Sequence, residues 1–394
     1  MKTTLRQLLA IAVLTTAFTG CSDDDKETAP SSSFTLVPSA FQGDINDGEV
    51  VLDSDETYKL TGKVIVHNGA TLTIPAGTVI EGVGGTASYI AVEQGGKINI
   101  NGTAADPVTM TSGLATKTAG DWGGLVICGK APINRVSGGA STAQAEVSDL
   151  TYGGNVANDN SGSISYLVIE YAGAAYNSEK EFNGLSLFGV GSGTTIQYVE
   201  SYHGADDGFE FFGGTVNTSN LISIGNEDDQ FDWTEGWSGT NTNWYGKIAF
   251  GKGNRGIEAD NYEFGYANTP LSNPTITNLT LVGPGSTADA TTYAENNGLK
   301  LRRGTKGIFT NVVLSAWKEG FNVENDETIA NVTSGALKAT QVNFISDVAS
   351  KAKGKTTAGA SADVNGVYTE SGSATGAGSG VAQPTWANSW TVGF

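Results

Sequence analysis

The chain has 394 residues, 41 of them acidic against 22 basic, which gives a net charge of −19 at neutral pH. A field of that sign repels nucleic acid and other polyanions unless cations intervene. With 54 glycines, 16% charged residues and only two cysteines, Cys21 and Cys128, it reads as an ordered β-rich chain without a disulfide scaffold, zinc cluster or cysteine redox centre.

Lys2 and Arg6 precede an apolar stretch over residues 8–18, 11 residues long and too short to span a bilayer as a helix, so residues 1–20 predict a secretory signal. The sequence Phe18-Thr19-Gly20-Cys21 resembles the lipobox of bacterial lipoproteins, with Phe18 where that family prefers Leu. The acidic run that follows, from Ser22 to Glu27, resembles the tether of surface-exposed lipoproteins in Bacteroidota. A plain signal peptide cut elsewhere is the alternative. The resemblance implies a lipidated Cys21, an outer-membrane anchor, cell-surface exposure and a flexible tether over residues 21–33. Removal of residues 1–20 takes the basic count to 20 and the charge to about −21.

From Phe34 the texture changes to short β-branched runs punctuated by Gly, Asn and Asp, at residues 58–66, 70–82, 89–100 and 106–112. No stretch sustains a 3.6-residue apolar period, so helices should be few. An apolar-x-apolar phrase recurs at Leu185-Ser186-Leu187, Phe209-Glu210-Phe211, Phe231-Asp232-Trp233, Ile257-Glu258-Ala259, Leu299-Lys300-Leu301 and Phe321-Asn322-Val323. The steps are 24, 22, 26, 42 and 22 residues, and the long one contains a loop between Tyr262 and Asn297. A second strand recurs at residues 196–199, 220–224, 247–250, 278–282 and 311–314. The repeat predicts an all-β, right-handed parallel β-helix of about 22–26 residues per coil, forming a single domain over residues 34–394. Residues 34–57 and the Trp-rich end, 385–394, are the expected caps.

Alternation along such strands turns Phe209 and Phe211 inward and Glu210 outward. The outward column then reads Ser186, Glu210, Asp232, Glu258, Lys300 and Asn322, with Asp206, Asp207, Asp228 and Asp229 at the preceding corner. Carboxylates at one strand spacing raise one another's pKa, and a hard divalent cation relieves them; Ca²⁺, which accepts six to eight oxygens, suits the pattern better than Mg²⁺. Asp207, Asp228, Asp229, Asp232, Glu210 and Glu258 are the candidate ligands. Capping of backbone N–H groups at the corners competes with ligation, most evenly for Asp206 and Asp228. Of the two histidines, His67 and His203, the latter adjoins the acidic corner as a candidate base or hydrogen-bond donor, with a bland corner role as the alternative. Trp237, Trp244 and Tyr245 follow the acidic phrase in a Ser/Gly/Asn-rich segment, as candidates either for stacking a sugar or for packing a loop.

The pair ADDGF (205–209) and EDDQFDW (227–233) resembles the calcium cluster of family-nine pectate lyases, which are parallel β-helices. The resemblance places ligands on Asp207, Asp228, Asp229 and Asp232 and a catalytic base on Lys300, although Glu258 occupies the coil where that lysine is expected. A wider resemblance runs through GDWGGLVICGKAPIN (120–134), YGGNVANDNSGSISYLVIEYAG (152–173), DDGFEFFGG (206–214), DDQFDWTEGW (228–237), RGIEAD (255–260), SNPTITNLTLVG (272–283) and LRRGTKG (301–307). These are similar to a Bacteroidota surface lipoprotein family, often labelled hypothetical lipoprotein or "multidrug transporter". The expected function is non-catalytic binding of a glycan or metal-bridged ligand on the β-helix flank, with Ca²⁺ as cofactor. The expected partners are the outer membrane, a polysaccharide and an outer-membrane receptor, with no nucleic acid. A Ca²⁺-dependent polysaccharide lyase and a structural or adhesive surface protein are the alternatives.

Overall fold

The computed structural model describes residues 31–177 and 180–394, so the signal, Cys21 and most of the tether lie outside the described residues. Strands stack coil upon coil in parallel register, as the repeat predicts for a parallel β-helix. The sheet that carries the acidic residues runs through Leu125–Cys128, Leu185–Phe188, Phe209–Phe212, Phe231–Thr234, Arg255–Ala259, Asn297–Leu301, Glu319–Glu324 and Ser350–Lys355. Its inward columns, Phe209–Phe231–Ile257–Leu299–Phe321 and Phe211–Trp233–Ala259–Leu301–Val323, are fully buried.

The long strands Gly162–Glu170, Thr195–Tyr202, Asn217–Ile224, Thr240–Lys247, Thr275–Val282, Gly307–Ser315 and Leu337–Ile345 each serve two sheets. In the earlier coils the two halves are separate strands: Lys97–Asn101 pairs with the first half of Gly162–Glu170, and Val108–Ser112 with the second. The bend falls on one residue per coil, Tyr166, Tyr198, Asn220, Asn243, Asn278, Asn311 and Gln341, every one of them at positive φ. Asparagine tolerates this left-handed conformation better than most side chains. The column adds its own bonds, since Asn278 Nδ2 donates to Asn243 Oδ1 at 2.8 Å and Asn311 Nδ2 to Asn278 Oδ1 at 2.7 Å. Tyr166 and Tyr198 offset a less comfortable backbone by stacking at 4.4 Å.

Two differences from expectation concern the ends. Residues 34–57 are mostly coil already: Phe41–Ile45 pairs with Thr57–Val66, and Glu49–Val51 with Thr71–Pro75. The Trp-rich segment does not cover the last coil. It folds back along the flank, setting Trp390 against Tyr166 and Tyr198 at 5.7 and 6.2 Å, while Val392 and Gly393 donate their N–H groups to Glu200. The last coil is closed instead by Val364 and Val367, both buried in the core, and by the helix Asp326–Ser334. That is the one α-helix among the described residues, and no helix there is long and apolar enough to cross a membrane.

Candidate functional site

In-register stacking turns the outward residues into columns. One reads Ser186, Glu210, Asp232, Glu258, Lys300 and Asn322, as the repeat predicts, and continues to Lys353. Extending the register two residues upstream gives a second, Asn183, Asp207, Asp229 and Arg255, continued by Asn297 and Glu319. Neighbouring coils lie about 4.8 Å apart, so each column crowds its charges.

Crowding is greatest on the coils of Phe209 and Phe231. One carboxylate oxygen each from Asp206, Asp207 and Asp228 falls within a mutual 4.8 Å, and the same holds for Asp207, Glu210 and Asp232, and for Asp229, Asp232 and Glu258. Burial, and then neighbouring carboxylates, push Asp206, Asp207, Glu210 and Asp232 well above the usual carboxylate range. Corner capping and clustering coexist here. Asp207 Oδ1 accepts the Asp229 N–H at 2.8 Å, and Asp229 Oδ1 accepts the Arg255 N–H at 2.8 Å, which leaves one oxygen of each free of this duty. Asp228 Oδ1 accepts from Asn254 Nδ2. Among the described residues, none of Asp206, Asp207, Glu210, Asp228 and Asp232 forms an ion pair with a lysine or arginine.

The next coils are built differently. Buried Arg255 donates from Nη1 to Asp229 Oδ2 at 2.8 Å and to Glu258 Oε2 at 2.7 Å, and from Nη2 to Glu295 Oε2 at 2.8 Å. Arg302 pairs with Glu258 and, through Nε, with Asp260 at 2.9 Å, while Arg303 holds the other Asp260 oxygen at 2.6 Å. Glu258, expected as a cation ligand, is therefore occupied by two guanidinium groups, and the second oxygen of Asp229 by one. Lys300 is also committed: its Nζ donates to Glu324 at 2.8 Å and lies 3.3 Å from Glu295. Its coil lies two rungs from that of Asp232.

A cavity of about 240 Å³ opens over this junction, bounded on the coil side by Glu210, Asp232, Asp260, Arg302 and Arg303. Its other wall comes from an arm stiffened by the antiparallel pairing of Thr142–Gln144 with Thr151–Gly153, which brings in Arg135 and Glu146. Arg135 Nε and the Tyr152 hydroxyl clamp the buried Glu235 carboxylate at 2.6 and 2.8 Å. Burial pushes Glu146 up to about 7, with Lys180 opposing. Sequence reasoning missed Arg255, Arg302, Arg303, Glu146 and Asn183. For Arg255 and Asn183 the column two residues upstream was the available signal; the arm has no repeat to align.

Residues 43–391 match the model of the family described as "Pectate-lyase like beta helix domain". The chain belongs to that family. No curated protein and no solved structure matches it.

The aromatic candidates of this pectate-lyase-like β-helix need correction. Trp237 and Trp244 are both 0% exposed and belong to the interior, stacked at 4.1 Å on Phe211 and 4.4 Å on Phe231 respectively. Trp244 occupies the inward column between Leu221 and Leu279, so strand alternation, rather than the polar composition around it, decides its side. Tyr245 lies under the returning C-terminal segment and donates to Val381 O at 2.8 Å. None of the three offers a sugar-stacking face. His203 stacks on Phe250 at 4.3 Å, and burial lowers its pKa. Its charged neighbours are Glu227 and Lys252, so it joins the turn and not the carboxylate cluster.

Proposed function

We propose that this pectate-lyase-like β-helix is a calcium-dependent, non-catalytic binder of an acidic polysaccharide, held at the outer membrane by a lipidated Cys21 and exposed at the cell surface beside a receptor partner. The observation that carries this reading is the set of five carboxylates, Asp206, Asp207, Glu210, Asp228 and Asp232, without a basic partner among the described residues, two of which, Glu210 and Asp232, line a cavity rimmed by Arg302 and Arg303. Hard oxygens at this spacing suit Ca²⁺, and a bound cation would meet a uronate carboxylate and its hydroxyls. The non-catalytic part rests on the basic residues: Lys300, Arg255, Arg302 and Arg303 are all held in ion pairs.

Thermal melting with Ca²⁺ against chelator tests the cation. At a hundredfold excess over Kd, stabilisation of about 2.7 kcal/mol raises Tm by roughly 3–4 °C for a chain of this size. Asp207→Ala/Asp232→Ala should abolish that rise, and a wild type indifferent to calcium refutes the reading. Calorimetry with a uronate polymer and a neutral polymer, each with and without calcium, tests the ligand.

The family match favours a second reading, a calcium-dependent lyase. Unsaturated-uronate absorbance growing in the wild type and lost in Lys300→Ala would establish it. The binding reading expects no absorbance from either protein.

A further inference from the structure

Phe264 is 79% exposed, and no large apolar side chain among the described residues is more so. It lines the cavity at the junction of coils and arm, together with the half-buried Tyr262. The two rings meet edge to face, with centroids 5.5 Å apart and planes at 74°. A single apolar side chain on a surface needs no explanation, but an aromatic pair bordering a polar cavity does.

The loop that carries the pair is pinned by buried asparagines. Asn261 and Asn134 are both fully buried. Asn261 Nδ2 donates to the carbonyls of Tyr266 and Asn268 at 3.1 and 3.0 Å, and its Oδ1 accepts the Ser272 N–H at 2.8 Å. Asn134 Nδ2 donates to Asn261 Oδ1 and to Pro270 O, both at 2.9 Å. Asn268 Nδ2 returns a bond to Asn134 O at 2.9 Å. The loop also presses on Gly304, where a Cβ would meet Tyr266 O at 2.1 Å. Bonds on both sides of Phe264 thus fix the course of the loop and leave the ring presented to solvent.

The rest of the cavity wall supplies hydrogen-bond acceptors. Glu146, Glu210 and Asp232 enter no ion pair among the described residues, whereas Asp260 and Glu263 pair with Arg303. An apolar face beside an arc of acceptors matches a pyranose ring, whose C–H face is apolar and whose rim carries hydroxyl donors. Drug-sized ligands fill roughly 300–1,000 Å³, so a cavity of about 240 Å³ has room for a single sugar residue.

We infer that Phe264, oriented by Tyr262, is the stacking platform of a subsite for one pyranose residue, whose hydroxyls donate to Glu146, Glu210 and Asp232. This rests on the polysaccharide reading above and is independent of its calcium.

Calorimetry of the full chain with a galacturonate hexamer and with a glucose hexamer, both in Ca²⁺, tests the subsite. The galacturonate hexamer should bind wild type, and Phe264→Ala should weaken it about tenfold or more, as truncation of an aromatic anchor does. The melting curve of Phe264→Ala should overlay that of wild type, because the exposed ring has little packing to lose. Phe264→Trp should restore binding, and its extra tryptophan emission, read against wild type, should change as the hexamer is added. Equal binding by wild type and Phe264→Ala overturns this inference and spares the polysaccharide reading. A bound hexamer that leaves the Phe264→Trp emission unmoved overturns the stacking. Binding of the glucose hexamer alone, weakened in Phe264→Ala, keeps the subsite and overturns the acidic ligand. Wild type that binds neither hexamer overturns both.

Discussion

Along one face of the solenoid, the coils of Phe209 and Phe231 carry five carboxylates with no basic partner among the described residues, while the coils of Ile257 and Leu299 interleave Glu258, Asp260 and Glu295 with Arg255, Arg302, Arg303 and Lys300. The backbone beneath is the same, with identical register and an inward apolar column in both. The difference lies in who supplies the positive charge. The later coils carry their own counter-ions, and among the described residues the earlier ones do not. Side chains that could serve a sheet either way thus separate a built-in ion-pair network from a candidate cation site.

Removing an internal counter-ion should give the largest effect. Arg255→Ala leaves Asp229, Glu258 and Glu295 without their shared partner, and breaking a buried pair from one side costs about 3–5 kcal/mol. Denaturant melts measure it. A loss below about 1 kcal/mol would mean that the network is ornamental and that the contrast between the two regions fails.

Glu200 sharpens the contrast as a carboxylate with neither cation nor guanidinium. It is 0% exposed, it accepts the N–H groups of Val392 and Gly393 at 2.7 and 2.9 Å, and burial pushes it up to about 7. Because the folded value exceeds the usual 4.5, protonation favours the folded state. That contribution is complete below about pH 4.5 and is lost as pH rises through about 7. Wild type should therefore lose on the order of 2–3 kcal/mol relative to Glu200→Gln between pH 5 and 8, read as the difference of their melting curves. Parallel curves would show that the backbone donors satisfy the charge fully.

The smallest expected effect has the opposite sign to the first. In chelator, Asp232→Asn should stabilise the chain by about 1 kcal/mol, because it removes a charge that burial and its neighbours disfavour. The same variant should show a reduced calcium-induced rise in Tm. Destabilisation in chelator would place Asp232 with the self-sufficient coils.

The fold was legible because two periods agree. Alternation along the strand and a step of 22–26 residues between coils together specify both the interior and the neighbour of each outward residue. The acidic column followed directly from Glu210, Asp232 and Glu258. Its partition did not, because Arg255 acts from the corner position and Glu295 from a loop inside the long step. Trp244 reads as a loop residue in sequence because the repeat aligns residues 247–250 with 220–224 and 278–282, whereas the strand is Thr240–Lys247 and sets Trp244 between Leu221 and Leu279; Trp237 lies in the turn before it and has no column of its own. The returning C-terminal segment has no periodic signal, since it docks on Tyr166, Tyr198 and Glu200 by shape and hydrogen bonds instead of adding a coil.

That returning segment changes how the solenoid should come apart. A stack in which each coil touches only its neighbours can fray from an open end one rung at a time. Here the bond from Val392 to Glu200 spans 192 residues and lashes the chain's end to its middle coils. Peeling the last coils must first undo that fastening, so unfolding should gain cooperativity across coils that never meet.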